Sequence, residues 1–206
     1  MKLTFSLGLG LVMLTSPLSA AEPLGVTLDD YYNLADVAGP AFSPDGERIA
    51  YSVSMSDRER DQQTSDLWVV PWQGGEPRQM TKTPDSSEWQ PRFGPGGKAL
   101  FFLSDTAGPD GEEDVQLWSM PGKGGKARRI TAIPGGISDY TLSPDGTRAV
   151  VVAEQGRDVG RKTGTPPPIE VDRFFFKYDG RGYLDDRAQQ LFTVDLASGK
   201  ARPITS

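Results

Sequence analysis

Apolar residues in this chain gather in short β-branched and aromatic runs, separated by clusters of turn-forming residues. The runs Ile49 to Val53, Ala99 to Leu103 and Ala149 to Val152 each follow a Pro-Asp-Gly or Pro-Gly-Gly turn. Proline presets φ for such a turn, Asp45 and Asp145 can bond its backbone, and glycine supplies positive φ. A polar loop comes next, then a strand centred on Leu-Trp or Leu-Phe. A Gly-Gly or Ser-Gly turn leads to a last short strand ending in Ile-Thr or Met-Thr. Each unit therefore predicts four antiparallel strands.

The unit occurs three times. Phe42, Phe93 and Leu142 lie 51 and 49 residues apart, and both Trp68 to Trp118 and Thr81 to Thr131 span 50. Four strands in about 50 residues, repeated, is the pattern of a β-propeller blade. The expected fold is all-β: an incomplete β-propeller of about three four-stranded antiparallel blades, near residues 38–81, 89–131 and 138–205. A blade packs both faces against neighbours, so its strands can be apolar on both sides, as in Phe101-Phe102-Leu103 and Val150-Val151-Val152. Trp68, Trp118 and Phe192 occupy equivalent positions and are expected to fill the space between blades. The Ser-Pro-Asp-Gly motifs read as hairpin turns and not as sites.

Composition changes this picture little. The chain is 36% hydrophobic and 24% charged, and its 24 glycines and 17 prolines suit frequent turns. A formal net charge of -6 and the lack of a long basic stretch argue against nucleic acid. The densest basic run, Lys123 to Arg129, surrounds a Gly-Gly turn and reads as a solvated hairpin tip. Residues 1–21 resemble a secretory signal: Lys2, an apolar core from Phe5 to Leu14, the break at Pro17, then Ser19, Ala20 and Ala21. The apolar run is too short for a spanning helix, which needs roughly 18 to 20 residues. An exported protein, periplasmic or secreted and without stable membrane insertion, is the expectation. The chain has no cysteine, which excludes disulfides, zinc–thiolate sites and lipid attachment at an N-terminal cysteine.

The Ser-Pro-Asp-Gly repeat with its terminal Ile-Thr resembles the propellers of two groups: the prolyl-oligopeptidase family of serine peptidases and the periplasmic propeller protein of the Tol–Pal system. The opening TLDDYYNLADVAGPAFSPDG is similar to the start of the mature peptidases, which enter the first blade after a short lead. Only about 20 residues separate Ala21 from Phe42, far fewer than the roughly 50 a preceding domain needs. The third repeat is also interrupted at about residues 155–188 by an insertion that includes TPPPIEVDRFFFKYDGRGYLDD, Thr165 to Asp186. Within it Pro168-Ile169, Arg173-Phe174, Lys177, Asp179-Gly180 and Gly182-Tyr183-Leu184 resemble a segment of acylaminoacyl-peptidase-like and dipeptidyl-peptidase-like members. The resemblance implies a larger parent, in which the propeller caps an α/β-hydrolase domain with a Ser, Asp, His triad and gates small peptides to it. This chain contains no histidine and no G-x-S-x-G, so it carries no triad. It reads as the N-terminal portion, with no catalytic, cofactor or metal residues of its own. Its expected partners are the parent's hydrolase domain and peptide substrates. The alternative is a non-enzymatic, Tol-like propeller that binds protein partners.

Two segments carry candidate chemistry. Glu112, Glu113 and Asp114 form an acidic cluster, and adjacent carboxylates suit a substrate ammonium. The surrounding GPDGEEDVQLW nevertheless reads as a polar loop, and its spacing lacks the ligand alternation of a calcium site. The insertion is the better candidate. Its dense aromatics form either an extended hairpin packed on neighbouring blades or a lip at the substrate entrance, with Arg173, Phe175, Tyr178 and Tyr183 as rim residues.

Overall fold

The computed structural model describes residues 25–109, 111, 114–155, 171, 174–179, 182–183 and 188–205. The signal segment read over residues 1–21 lies outside them. The described residues form three four-stranded antiparallel sheets, an incomplete β-propeller as the repeat predicts. Sheet 1 contains β1 (Ala35–Phe42), β2 (Arg48–Asp57), β3 (Gln62–Pro71) and β4 (Arg78–Gln79). Sheet 2 contains β5 (Glu88–Phe93), β6 (Ala99–Ser104), β7 (Gln116–Pro121) and β8 (Arg128–Arg129). Sheet 3 contains β9 (Ile137–Leu142), β10 (Arg148–Gln155), β13 (Ala188–Asp195) and β14 (Ala201–Pro203). The insertion between β10 and β13 supplies a two-stranded hairpin, β11 (Lys177–Tyr178) with β12 (Gly182–Tyr183).

Strand pairing fixes which side chains share a face, because successive residues alternate sides. In sheet 2, Leu100 and Phe102 point back toward sheet 1, while Phe101 and Leu103 point forward toward sheet 3. The first seam joins Ala50, Leu67 and Val69 to Leu100, Phe102 and Met120. The second joins Phe101, Leu103 and Leu117 to Val151, Phe192 and Val194. The three equivalent aromatics all face backward. Trp118 packs into the first seam and Phe192 into the second, as expected of them, but Trp68 faces the open side of sheet 1 and is only half-buried.

The turns behave as the Ser-Pro-Asp-Gly motif predicts. The Ser143 hydroxyl accepts the Arg148 N–H at 3.0 Å and donates to Asp145, while Asp145 accepts the Thr147 N–H at 3.0 Å. These bonds hold the Asp145 carboxyl down at about 2, and the same arrangement lowers Asp45 through Ser43 and the Glu47 N–H. Gly146 needs positive φ (68°), and a Cβ there would stand 2.6 Å from Pro95 of the preceding turn.

The recurrent terminal threonine closes each sheet. The Leu117 N–H donates to Thr131 Oγ1 at 3.0 Å, and that hydroxyl donates to Gln116 Oε1 at 2.7 Å. Gln116 Oε1 also accepts the Ile133 N–H, and its Nε2 donates to the Ile133 carbonyl. In sheet 1 Thr81 receives the Leu67 N–H at 2.8 Å and donates to Asp66. In sheet 3 Thr205 receives the Leu191 N–H at 2.9 Å. A last strand of two or three residues offers few ladder bonds, so this hydroxyl clasp supplies the missing attachment.

Before the first sheet, Thr27 caps a short helix, α1 (Leu28–Tyr32), in a reciprocal capping box with Asp30. Arg58 pins α1 to β2 by an ion pair with Asp29 and by lying over the Tyr32 ring, 5.5 Å from its centre. Among the described residues no helix is long and apolar enough to cross a membrane.

Candidate functional site

The rim residues named from sequence fall in and beside the insertion hairpin. Lys177 pairs with Tyr183 and Tyr178 with Gly182, so the backbone brings both tyrosine positions into one two-stranded unit. Phe175 precedes that hairpin and is 67% exposed, and Phe174 is 90% exposed. Their rings meet edge to face with centres 5.2 Å apart. These two phenylalanines therefore pack on each other and not on a neighbouring sheet. Arg173 lies outside the described residues, as do Glu112 and Glu113 of the acidic cluster. Asp114 is described, and its Oδ2 accepts the Gly135 N–H at 3.0 Å. That bond ties the loop before β7 to the turn before β9. Among the described residues no group of acidic side chains is arranged to hold a metal ion.

Two features at the first seam escaped sequence reading. Glu88 is 2% exposed, at the start of β5. Burial pushes its carboxyl above the usual range against the Thr81 and Thr83 hydroxyls, and the nearby Asp66 and Asp105 charges raise it further. Ser104 donates to its Oε1 at the long distance of 3.5 Å. Arg48 crosses the same seam, donating to the Gly122 carbonyl at 2.8 Å with its guanidinium 5.0 Å above the centre of the Phe93 ring. Arg78 donates to the next carbonyl, Lys123, at 3.0 Å. A signal for Arg48 does exist in the sequence, since Arg148 repeats it 100 residues later in the same turn.

A cleft of about 710 Å³ opens between α1 and the rear face of sheet 1, lined by Tyr32, Val53, Met55, Arg58, Asp66 and Trp68 among others. It is apolar at Val53, Met55 and Trp68, with Asp29, Asp57 and Asp66 at its edges.

Successive four-stranded sheets, stacked through apolar seams and each closed by its own threonine, define a β-propeller protein. The TolB beta propeller domain matches residues 32–163, and the chain belongs to that family. It is similar to the uncharacterized peptidase YuxL of Bacillus subtilis (strain 168), 34% identical over 195 residues, which is 88% of this chain and 28% of that protein. It is also 40% identical over 120 residues to dipeptidyl-peptidase 5 of Porphyromonas gingivalis, covering 58% of this chain and 17% of that one. Among solved structures, an acylaminoacyl peptidase of Pyrococcus horikoshii superposes with a TM-score of 0.65 over 85% of this chain and 26% of its own, at 16% identity. That likeness establishes the fold. The chain spans less than a third of the length of these curated relatives.

Proposed function

We propose that this chain is the propeller portion of an exported serine peptidase that hydrolyses small peptides, and that its blades limit access to an α/β-hydrolase domain. The observation that carries the reading is 34% identity, over 88% of the chain, to a protein named as a peptidase. The insertion hairpin is the natural entrance lip, with Arg173, Phe175, Tyr178 and Tyr183 offering cationic and aromatic contacts to a peptide. The exposure of Phe175 supports this, since a large aromatic side chain left in water is poorly explained by packing.

The test uses the complete gene product, assayed with chromogenic dipeptide and acylated amino-acid substrates and with a fluorophosphonate that labels activated serines. Turnover abolished by the label is the expected result. A gene product with neither turnover nor a labelled serine overturns the peptidase reading and leaves the protein-binding one. The 206-residue chain alone should give no turnover, because it has neither a histidine base nor a nucleophile elbow.

A further inference from the structure

The seam between sheets 1 and 2 is apolar except at one end. There Glu88, which opens β5, pairs with Ser104, which ends β6. Paired strand residues share a face, and alternation puts Ser104 on the face of Leu100 and Phe102, toward sheet 1. Glu88 is therefore enclosed by a seam that the chain builds within itself.

Although Glu88 is 2% exposed, little around it suits a charge. Its Oε2 has no hydrogen-bond partner among the described residues, and neither has the buried Ser65 hydroxyl of β3. The Ser65 N–H donates to Ser87 Oγ, next to Glu88, at 3.3 Å. Ser104 reaches Oε1 only at 3.5 Å, and the Thr81 hydroxyl gives its proton to Asp66. Among the described residues no lysine or arginine is ion-paired with Glu88. Arg60, between β2 and β3, is held by Asp57 and Asp85, and Lys82 is exposed. Asp66 on β3 and Asp105 after β6 act on Glu88, and both are negative. The other strands nearby, β1, β2 and β7, bring Ala38, Ser52 and Gln116, none of them charged. An ionised carboxylate here is buried without a counter-charge, whereas the neutral acid adds an O–H donor where acceptors are in excess.

We propose that Glu88 is a proton-operated latch between sheets 1 and 2: with its proton it donates within the closed seam, and without it the carboxylate draws water in and loosens that end. A carboxyl favoured as the neutral acid by the fold stabilises fully below its ordinary 4.5. That stabilisation is lost as pH rises through the higher, folded value. The insertion leaves sheet 3 at this same end, because Glu88 pairs with Ser104 in sheet 2 as Ile137 pairs with Ala153 in sheet 3. Solution pH would thus set how firmly the first two sheets are held at the end that carries the candidate rim.

Hydrogen–deuterium exchange of the complete gene product, followed from about pH 4 to about pH 8, tests the latch. Each parent rate is divided by that of Glu88→Gln at the same pH, which cancels the intrinsic pH dependence of exchange. Glutamine keeps the shape and stays neutral. At the Ser65 and Ser87 amides, which bond across this end, the ratio should be near one in acid and rise several-fold toward neutral pH. At Val151 and Val194, in the second seam, it should stay near one throughout. Asp105→Asn keeps an oxygen for the Ser87 N–H and removes one like charge. Measured against its own Glu88→Gln double variant, it should show a smaller rise. A ratio that stays flat with pH, at one or above it, would overturn the proposal. An undiminished rise in Asp105→Asn would do the same, because the negative surroundings of Glu88 would then not drive the opening.

Discussion

The middle sheet and the two flanking sheets are built from one repeat, yet they are buried differently. Along β6, Leu100 to Ser104 are all buried, because sheet 2 has a neighbour on each side. Along β10 the burial alternates: Ala149, Val151 and Ala153 are buried against sheet 2, while Val150 and Val152 are half-exposed on the far side. Sheet 1 shows the mirror case, with Ala50 and Ser52 buried and Ile49, Tyr51 and Val53 half-exposed. The apolar run in each strand is similar, so what differs is the neighbour and not the residue. A two-sided run in this fold signals two seams, and a seam left open shows up as half-exposed β-branched and aromatic side chains.

The sharpest way to break the comparison is to truncate equivalent residues. Phe102 is 1% exposed in the first seam, and Tyr51 is its counterpart on the open rear face of sheet 1. Phe102→Ala should cost about 3–5 kcal/mol, the range for emptying a buried phenylalanine site. Tyr51→Ala should cost under about 1 kcal/mol. Urea unfolding of the two variants provides the measurement. Equal losses would mean that the rear face of sheet 1 is as well packed as the seam, and the contrast between middle and flanking sheets would fail.

Much of this fold is legible in the sequence because its determinants are local. The turn motif, the β-branched run after it and the Leu-Trp strand each occupy a few consecutive residues, and their 50-residue spacing exposes the repeat. Even α1 leaves a trace, since Thr27 and Asp30 stand three apart as in a capping box, although the stretch reads otherwise as a lead into the first blade. What stays hidden depends on residues distant in the chain. Glu88 looks like an ordinary strand-edge glutamate until sheet 1 folds over it. Arg48 looks like a solvated turn cation until Gly122 arrives beneath it. The threonine that ends each repeat is easy to see, but its clasp is not, because its partner Gln116 precedes it by 15 residues. The candidate rim divides along the same line: the aromatic density is obvious, whereas the exposure of Phe174 and Phe175 follows from the absence of a sheet behind them among the described residues.

A smaller contrast separates the clasps. Thr131 is 2% exposed and its hydroxyl serves both Leu117 and Gln116, whereas Thr205 is exposed at the edge of sheet 3. Thr131→Val should cost about 1–3 kcal/mol, because it strands the buried Leu117 amide and leaves Gln116 Oε1 only the Ile133 N–H. Thr205→Val should cost less than about 0.5 kcal/mol, because water can take the place of the hydroxyl. Amide exchange at Leu117 and Leu191 would read the two sites directly. A larger acceleration over the parent at Leu191 in Thr205→Val than at Leu117 in Thr131→Val would reverse the expected order.

The smallest difference lies in the turns, and there the flanking sheets hold more side-chain bonds than the middle one. Ser43 with Asp45 and Ser143 with Asp145 brace their turns, while sheet 2 uses Gly94 to Gly97, which has no side chain to do so. Asp145 has its carboxyl held at about 2, below its ordinary 3.8, by Ser143 and Thr147. A depressed carboxylate contributes stability above its unfolded value and loses it as pH falls through the folded one. The bracing of sheet 3 should therefore be complete above about pH 4 and should disappear as pH falls toward 2. The Gly97 turn has no such group and should be indifferent over that interval. The amide resonance of Thr147 should titrate near 2 and that of Glu47 below the usual aspartate range, while the Gly97 amide should not move. Asp145→Asn should remove the Thr147 transition and leave Glu47 unchanged, since the two turns belong to different sheets. A Thr147 amide that titrates near 4 would show that the serine and backbone bonds do not hold the charge. The flanking turns would then be no better braced than the glycine turn between them.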